Sequence, residues 1–250
     1  MGNVQWVPWW FAVVGCAALI AVSPLSPLSL WGFAAGITYL VVSNLLLAIG
    51  LRRRSAARFG QANIVTATRS VLVGLITAIV VSSFTETVST PLLVTLAAIA
   101  LALDGVDGYV ARRTSSESEL GAQFDMEVDA FLLLVLSVYC GPIVGWWVLA
   151  FGLMRYAFVA AGLALPWMRE TLPPRYWRKA VTAICGVALT VVASRLLPEV
   201  VATIVALVAL ALLVESFTRD VTWLVRTHLS RVNRSGIRLV STEEASTEEA

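Results

Sequence analysis

"DGVDGYVARRTSSESELGAQFDMEVDAF", residues 104–131, sets a dense group of charged side chains between two long, almost purely apolar stretches. The rest of the chain explains the contrast. Of its 250 residues, 58% are hydrophobic and 14% charged, with a mean hydropathy of +0.83. A soluble domain carries about 25% charged residues, so this chain belongs in a bilayer. Crossing roughly 30 Å of hydrocarbon at about 1.5 Å per residue takes about 20 apolar residues. Eight such windows lie between charges and turn residues, near Trp6–Val22, Leu30–Leu51, Ile64–Ser83, Leu92–Tyr109, Leu120–Tyr139, Ile143–Leu163, Trp177–Leu197 and Pro198–Phe217. The runs are apolar on nearly all faces, whereas barrel strands alternate apolar and polar residues. The fold expected is all-α: a polytopic transmembrane bundle of about eight helices.

The first window lacks a basic region before it and is long for a signal peptide, which favours a retained helix. Basic residues crowd into "LRRRSAARFG", "ARRT", "MRETLPPRYWRK" and the segment after Arg219, and those segments are expected to be cytoplasmic. Counting from a cytoplasmic N-terminus places "SPLSPLS", "SSFTETVSTP", "CGP" and "RLLPE" outside, where Arg195 is the single basic residue. The acidic loop then faces the cytoplasm, where nucleotides are available, and the plasma membrane is the expected location. A formal net charge of +2 argues against a nucleic-acid partner. Cys16, Cys140 and Cys185 show no metal-ligand spacing and read as packing residues. Residues 219–238 mix arginines with Trp223, Leu224 and Leu229, which suits a segment lying on an anionic leaflet. "STEEASTEEA" at the end is too acidic and small to bury anything and is expected to be disordered. His228 reads as solvated within the basic segment.

Asp104 and Asp107 are three residues apart at one helix end, and Asp125 and Asp129 are four apart at the start of the next; each spacing puts two carboxylates on one face. Helices joined by a short turn run side by side, so the four can converge. Gly108, Ala111 and Gly121 are small, which lets backbones approach or leaves room for a flat ligand. An ionised aspartate near the membrane interior costs about 2.5–3.5 kcal/mol on insertion scales, so positive charge is required beside them. Arg112 and Arg113 can supply some of it. An all-oxygen set without His or Cys suits magnesium or manganese rather than zinc. Such ions screen a phosphate, and a spare carboxylate can take a proton from a nucleophile. Glu117 and Glu119, in the polar turn, read as helix-end acids only.

The pattern D-x-x-D-G-x-x-A-R-x8-G-x3-D-x3-D, carried by Asp104, Asp107, Gly108, Ala111, Arg112, Gly121, Asp125 and Asp129, resembles without departure the signature of the CDP-alcohol phosphotransferase family. Helix number and motif placement from about Asn63 to Phe217 are similar too. The resemblance implies transfer of a substituted phosphate from a CDP-linked donor to an acceptor hydroxyl with release of CMP. It implies two metal ions held by the aspartates and a homodimer. Asp129 falls at the position of the general base, and Gly108, Ala111, Arg112 and Gly121 at positions that contact the nucleotide. On this reading residues 59–218 form a six-helix core, residues 1–58 add two helices, and residues 219–250 form a cytoplasmic tail.

Other polar positions carry two readings each. Asn63, Thr66 and Arg69 resemble the polar start of the family's first core helix; the plain alternative is an N-cap at Asn63 with Arg69 snorkelling. Lys179 and Thr182 resemble the lysine–threonine step of the fifth core helix, or anchor that end at the interface with Trp177. Arg155 lies inside the sixth window and needs a buried anion, either a substrate phosphate or one of the aspartates. Arg195 and Glu199 suit a surface pair. The donor expected is CDP-diacylglycerol and the acceptor a small polar alcohol or alcohol phosphate. Transfer from a CDP-linked head group such as CDP-choline to diacylglycerol is the enzymatic alternative. A cation transporter is the alternative of a different class, although it would place carboxylates near the midplane on broken helices.

The orientation is testable with cysteines placed singly at Ser115 and Ser246 in a cysteine-free background. Both should resist an impermeant thiol reagent in intact cells, and labelling of Ser115→Cys without lysis would reverse the topology.

Overall fold

In the computed structural model the described residues are 7–53, 61–114, 119–169 and 176–248. For residues 7, 8, 51–53, 61–63, 106–114, 119, 120, 122, 166, 169, 176 and 231–248 only the backbone is described. Among these residues stand eight α-helices and no strand: α1 Val7–Val22, α2 Leu30–Arg53, α3 Gln61–Ser82, α4 Thr90–Thr114, α5 Glu119–Val144, α6 Ala150–Ala164, α7 Tyr176–Ala193 and α8 Glu199–Glu248. Each apolar window has become a helix. Five are long and apolar enough to cross a membrane, in the segments Leu30–Gly50, Ile64–Ser82, Gln123–Val144, Trp146–Ala164 and Glu199–Ser230. The apolar parts of α1 and α4, Trp9–Val22 and Thr90–Gly105, are shorter. The outer surface is rich in exposed Val, Leu, Ile and Trp, as a lipid-facing surface requires, with Trp9, Trp10, Trp146 and Trp177 exposed near helix ends.

Two boundaries differ from the sequence expectation. The turn expected at Cys140–Pro142 lies three residues later: α5 continues through Pro142, and the chain reverses at Gly145, with φ +106°. Proline holds a φ compatible with helix, whereas a φ near +106° is open in practice only to glycine, so the glycine sets the reversal. A 3₁₀ turn over Trp146–Leu149 then leads into α6. The second difference is α8, which does not end near Phe217 but stays helical to Glu248, through the stretch expected to be disordered. Residues 199–248 contain no proline and one glycine, Gly236, so no residue in them breaks the helix sharply.

α3 is the central helix and packs against α1, α2, α4 and α5. Its approach to α2 is set by glycines four residues apart. A Cβ at Gly32 would lie 2.0 Å from Ser82 Oγ and 2.6 Å from the Ala78 carbonyl oxygen; one at Gly36 would lie 3.1 Å from the Gly74 carbonyl oxygen. Such spacing lets two backbones touch in a medium where apolar burial does not drive helices together. At one end of the bundle serines knit the turns: the Ser29 N–H donates to Ser82 Oγ at 2.9 Å and the Ser89 N–H to Ser26 Oγ at 3.1 Å. The opposite end holds the aspartates.

Gly32→Ala should lower stability by about 1–3 kcal/mol, the usual cost of overpacking. Gly105→Ala, where a Cβ meets nothing within 4 Å, should be neutral or stabilising. Thermal unfolding in detergent measures both; equal melting of the Gly32→Ala and wild-type proteins would disprove the close approach.

Candidate functional site

Arg69 enters α3 two turns from its start, and its side chain is 0% exposed. Its Nε–H donates to the Ala100 carbonyl of α4 at 3.2 Å, which fixes the plane of the guanidinium. Nη1 then donates to Asp125 Oδ1 and lies 3.1 Å from Asp104 Oδ1, while Nη2 donates to Asp129 Oδ1. One side chain of α3 thereby ties α4 to α5. The three carboxylates are 31%, 23% and 22% exposed, so each faces Arg69 while keeping some contact with the outside. Their convergence follows from helix periodicity: Asp125 and Asp129 share a face of α5, and that face meets the end of α4.

Among the described residues, the positive charge that the aspartates require comes from Arg69 on the preceding helix; the side chains of Arg112 and Arg113 lie outside the described residues. Asp107, Gly108, Ala111 and Arg112 ride the last turns of α4, and Gly121 lies in the first turn of α5; the side chains of Asp107, Ala111 and Arg112 lie outside the described residues, as do Glu117 and the side chain of Glu119. Thr66 is buried one turn before Arg69. Because α3 begins at Gln61, Asn63 is its third residue and not its cap; the Asn63 side chain is also outside the description. Lys179 is exposed at the start of α7, near enough for its charge to act on Asp125.

Arg155 does not reach Asp104, Asp125 or Asp129. Its Nη2 donates to Glu127 Oε1 of α5 at 2.8 Å, and its buried Nε has no hydrogen-bond partner among the described residues. Glu127 was the acid that the motif hid: two residues from both Asp125 and Asp129, it points to the other side of α5, toward α6. Its place beside an intramembrane arginine was visible only once helix neighbours were known. Also unread in the sequence was the support behind Arg69, where Tyr39 of α2 stacks on Phe131 with ring centroids 4.5 Å apart and Ser70 Oγ lies 3.0 Å from Ser43 Oγ.

Two further readings need correction. His228 stacks on Trp167, with centroids 5.1 Å apart, and is not simply solvated. Arg195 forms no ion pair with Glu199; it adopts φ +57° and sits over the Tyr139 ring, 5.7 Å from its centroid. That leaves it lining a cavity of about 290 Å³ with Glu86, Thr90 and Tyr139, at the end remote from the aspartates. The cavity is not where the chemistry-bearing groups meet. Cys140 and Cys185 are buried and direct their sulfurs at the Leu189 and Ala209 carbonyls, in keeping with packing roles.

Asp104, Asp125 and Asp129 each offer an oxygen, all within 4.8 Å of one another. Hard oxygen donors at this spacing fit a hard divalent cation. Residues 59–215, from just before α3 into α8, match the CDP-alcohol phosphatidyltransferase family. The chain belongs to that family. Members of that family are membrane-bound transferases of substituted phosphate groups that take a CDP-linked donor and an alcohol acceptor and use divalent metal ions, and the five long apolar segments of this chain fit a multi-pass membrane protein. The chain is also similar to proteins named "Putative cardiolipin synthase" in Mycobacterium bovis and in two strains of Mycobacterium tuberculosis, at 37% identity over 83 residues. That likeness covers 32% of this chain and about 40% of the length of those relatives. No solved structure matches the chain. Helices α1 and α2 lie outside the residues that match the family.

The Arg155–Glu127 pair is partly exposed, so Glu127→Gln should change unfolding stability by less than about 1 kcal/mol. A loss of several kcal/mol on thermal unfolding would mean that the pair braces α5 against α6.

Proposed function

We propose that the protein transfers a phosphatidyl group from CDP-diacylglycerol to the hydroxyl of a small polar alcohol or alcohol phosphate, at the cytoplasmic face of the plasma membrane. The observation that carries this reading is the convergence of Asp104 with Asp125 and Asp129, from the two halves of one motif, at a single end of the bundle. Residues 59–218 are the catalytic core and residues 1–58 a supporting addition, and by resemblance the enzyme is a homodimer.

Magnesium or manganese, as two ions held by Asp104, Asp107, Asp125 and Asp129, would supply positive charge at the donor's pyrophosphate. Asp129 takes the proton of the acceptor hydroxyl. The freed oxygen attacks the lipid-side phosphorus, the bond from that phosphorus to the bridging oxygen breaks, and CMP leaves with that oxygen. Gly108, Ala111, Arg112 and Gly121 border the nucleotide, where small side chains leave the backbone accessible. Of the residues considered for substrate phosphates, Arg69 spends its guanidinium on the carboxylates. That contact then falls to Lys179, which is exposed beside Asp125, and to Arg155, while Asn63 and Thr66 line the start of α3.

Purified protein incubated with CDP-diacylglycerol and a panel of acceptors should release CMP, with the lipid product identified by mass; the relatives' name puts cardiolipin among the products to be sought. Chelator should stop the reaction, and magnesium or manganese should restore it. Asp129→Asn should lower turnover by ~100-fold or more, the lower end for loss of a general base, with donor affinity largely kept. Asp104→Asn should weaken donor binding as well. Calorimetry beside turnover separates the two, and an equal loss of donor affinity in both variants would remove the distinct role of Asp129.

A further inference from the structure

We propose that Arg69 is the resident counter-ion of the carboxylate site, drawing on the same oxygens as a divalent cation and so setting how tightly that cation is held. The identity of the cation rests on the proposed function; the geometry of Arg69 does not. The three side chains whose oxygens converge within 4.8 Å are the same three that the guanidinium meets. One guanidinium set against three carboxylates leaves net negative charge among these four groups, which favours a cation.

The chemistry requires arginine at this position. Its planar fork reaches a carbonyl on α4 through Nε while its two terminal nitrogens serve three carboxylates from two helices, which a lysine ammonium, a point charge on a flexible stem, cannot do. Burial makes the arrangement stringent, because a charge with no access to water is held in place only by its partners. The residue therefore acts twice. It holds α3, α4 and α5 in register through charge that the protein itself carries, and it presents a converged set of carboxylates to the cation while competing with it for them. Folding then does not require the metal, and affinity is kept below what the bare carboxylates would give.

The test compares wild type, Arg69→Gln and Arg69→Lys in detergent, without any CDP donor. Manganese affinity is read from the paramagnetic resonance of free Mn²⁺, and thermal unfolding is followed in chelator and in saturating Mn²⁺. Arg69→Gln should bind Mn²⁺ ~10-fold or more tightly than wild type, since a competing buried charge is gone. Arg69→Lys should fall between them. Wild type should be folded in chelator and gain a modest rise in unfolding temperature with Mn²⁺, whereas Arg69→Gln should melt early in chelator and gain a larger rise with Mn²⁺. Affinity in Arg69→Gln equal to or weaker than wild type would overturn the proposal, as would wild-type stability of that variant in chelator. If Arg69→Gln cannot be purified, Arg69→Lys decides alone: it must bind Mn²⁺ more tightly than wild type. The expected order of affinities in a protein that releases no CMP would keep this inference and remove the proposed function. A wild type that binds no Mn²⁺ would remove both the inference and the metal role in that function.

Discussion

A buried guanidinium is the constraint on which the bundle depends. Arg69 has no exposed surface, and three carboxylates and one carbonyl from two neighbouring helices satisfy it. Taking a charge out of water costs several kcal/mol unless its partners are in place, so α3 can occupy its position only if α4 presents Ala100 and Asp104 there while α5 presents Asp125 and Asp129. The aspartates depend on Arg69 in turn, because gathered at the edge of an apolar bundle they would repel one another. Neither half of the cluster is stable alone, and that mutual need fixes the register of three helices.

The rest of the fold serves that register. Gly32 and Gly36 let α2 lie directly on α3, and α2 carries Tyr39 and Ser43 to the flank of Arg69, against Phe131 and Ser70. The added N-terminal helices are thus packed behind the charged cluster, although they lie outside the residues that match the family. At the far end, serine hydroxyls cap the turns between α1 and α2 and between α3 and α4. One end of the bundle is therefore tied by serine hydrogen bonds, and the other gathers the carboxylates around Arg69.

Much of this was legible in the sequence, for physical reasons that differ by feature. A membrane helix announces itself by length and apolarity alone, so all eight windows became helices. The motif was legible because periods of three and four residues dictate which carboxylates share a face, and the structure brings Asp104, Asp125 and Asp129 together as those periods require. What the sequence hid depends on which helix lies beside which. Arg69 lies 35 residues from Asp104 and 60 from Asp129 in the chain, and its candidacy as a phosphate contact gave no hint that the carboxylates would claim it. Glu127 was hidden by its neighbours, since an acid between two motif aspartates looks like part of the motif until α6 is placed opposite it. The turn at Gly145 was masked by the nearby proline, which reads as a break but fits the last turns of α5.

The two arginine contacts explain together how an acid-rich helix can begin at a membrane edge. Along α5, Asp125 and Asp129 point to one side and Glu127 to the other, so no single neighbour could neutralise all three. Arg69 answers the first side from α3, fully buried and, among the described residues, meeting three carboxylates; Arg155 answers the second from α6, partly exposed and meeting Glu127. The difference in burial divides the labour. A partly exposed pair is held by fewer neighbours than a buried one, which leaves the Arg155 guanidinium less tightly committed to its partner. The buried set around Arg69 has no such freedom, since releasing any carboxylate strands charge in an apolar interior. The rigid side of α5 is therefore the one suited to holding a converged oxygen set, and the side that faces α6 is the less constrained.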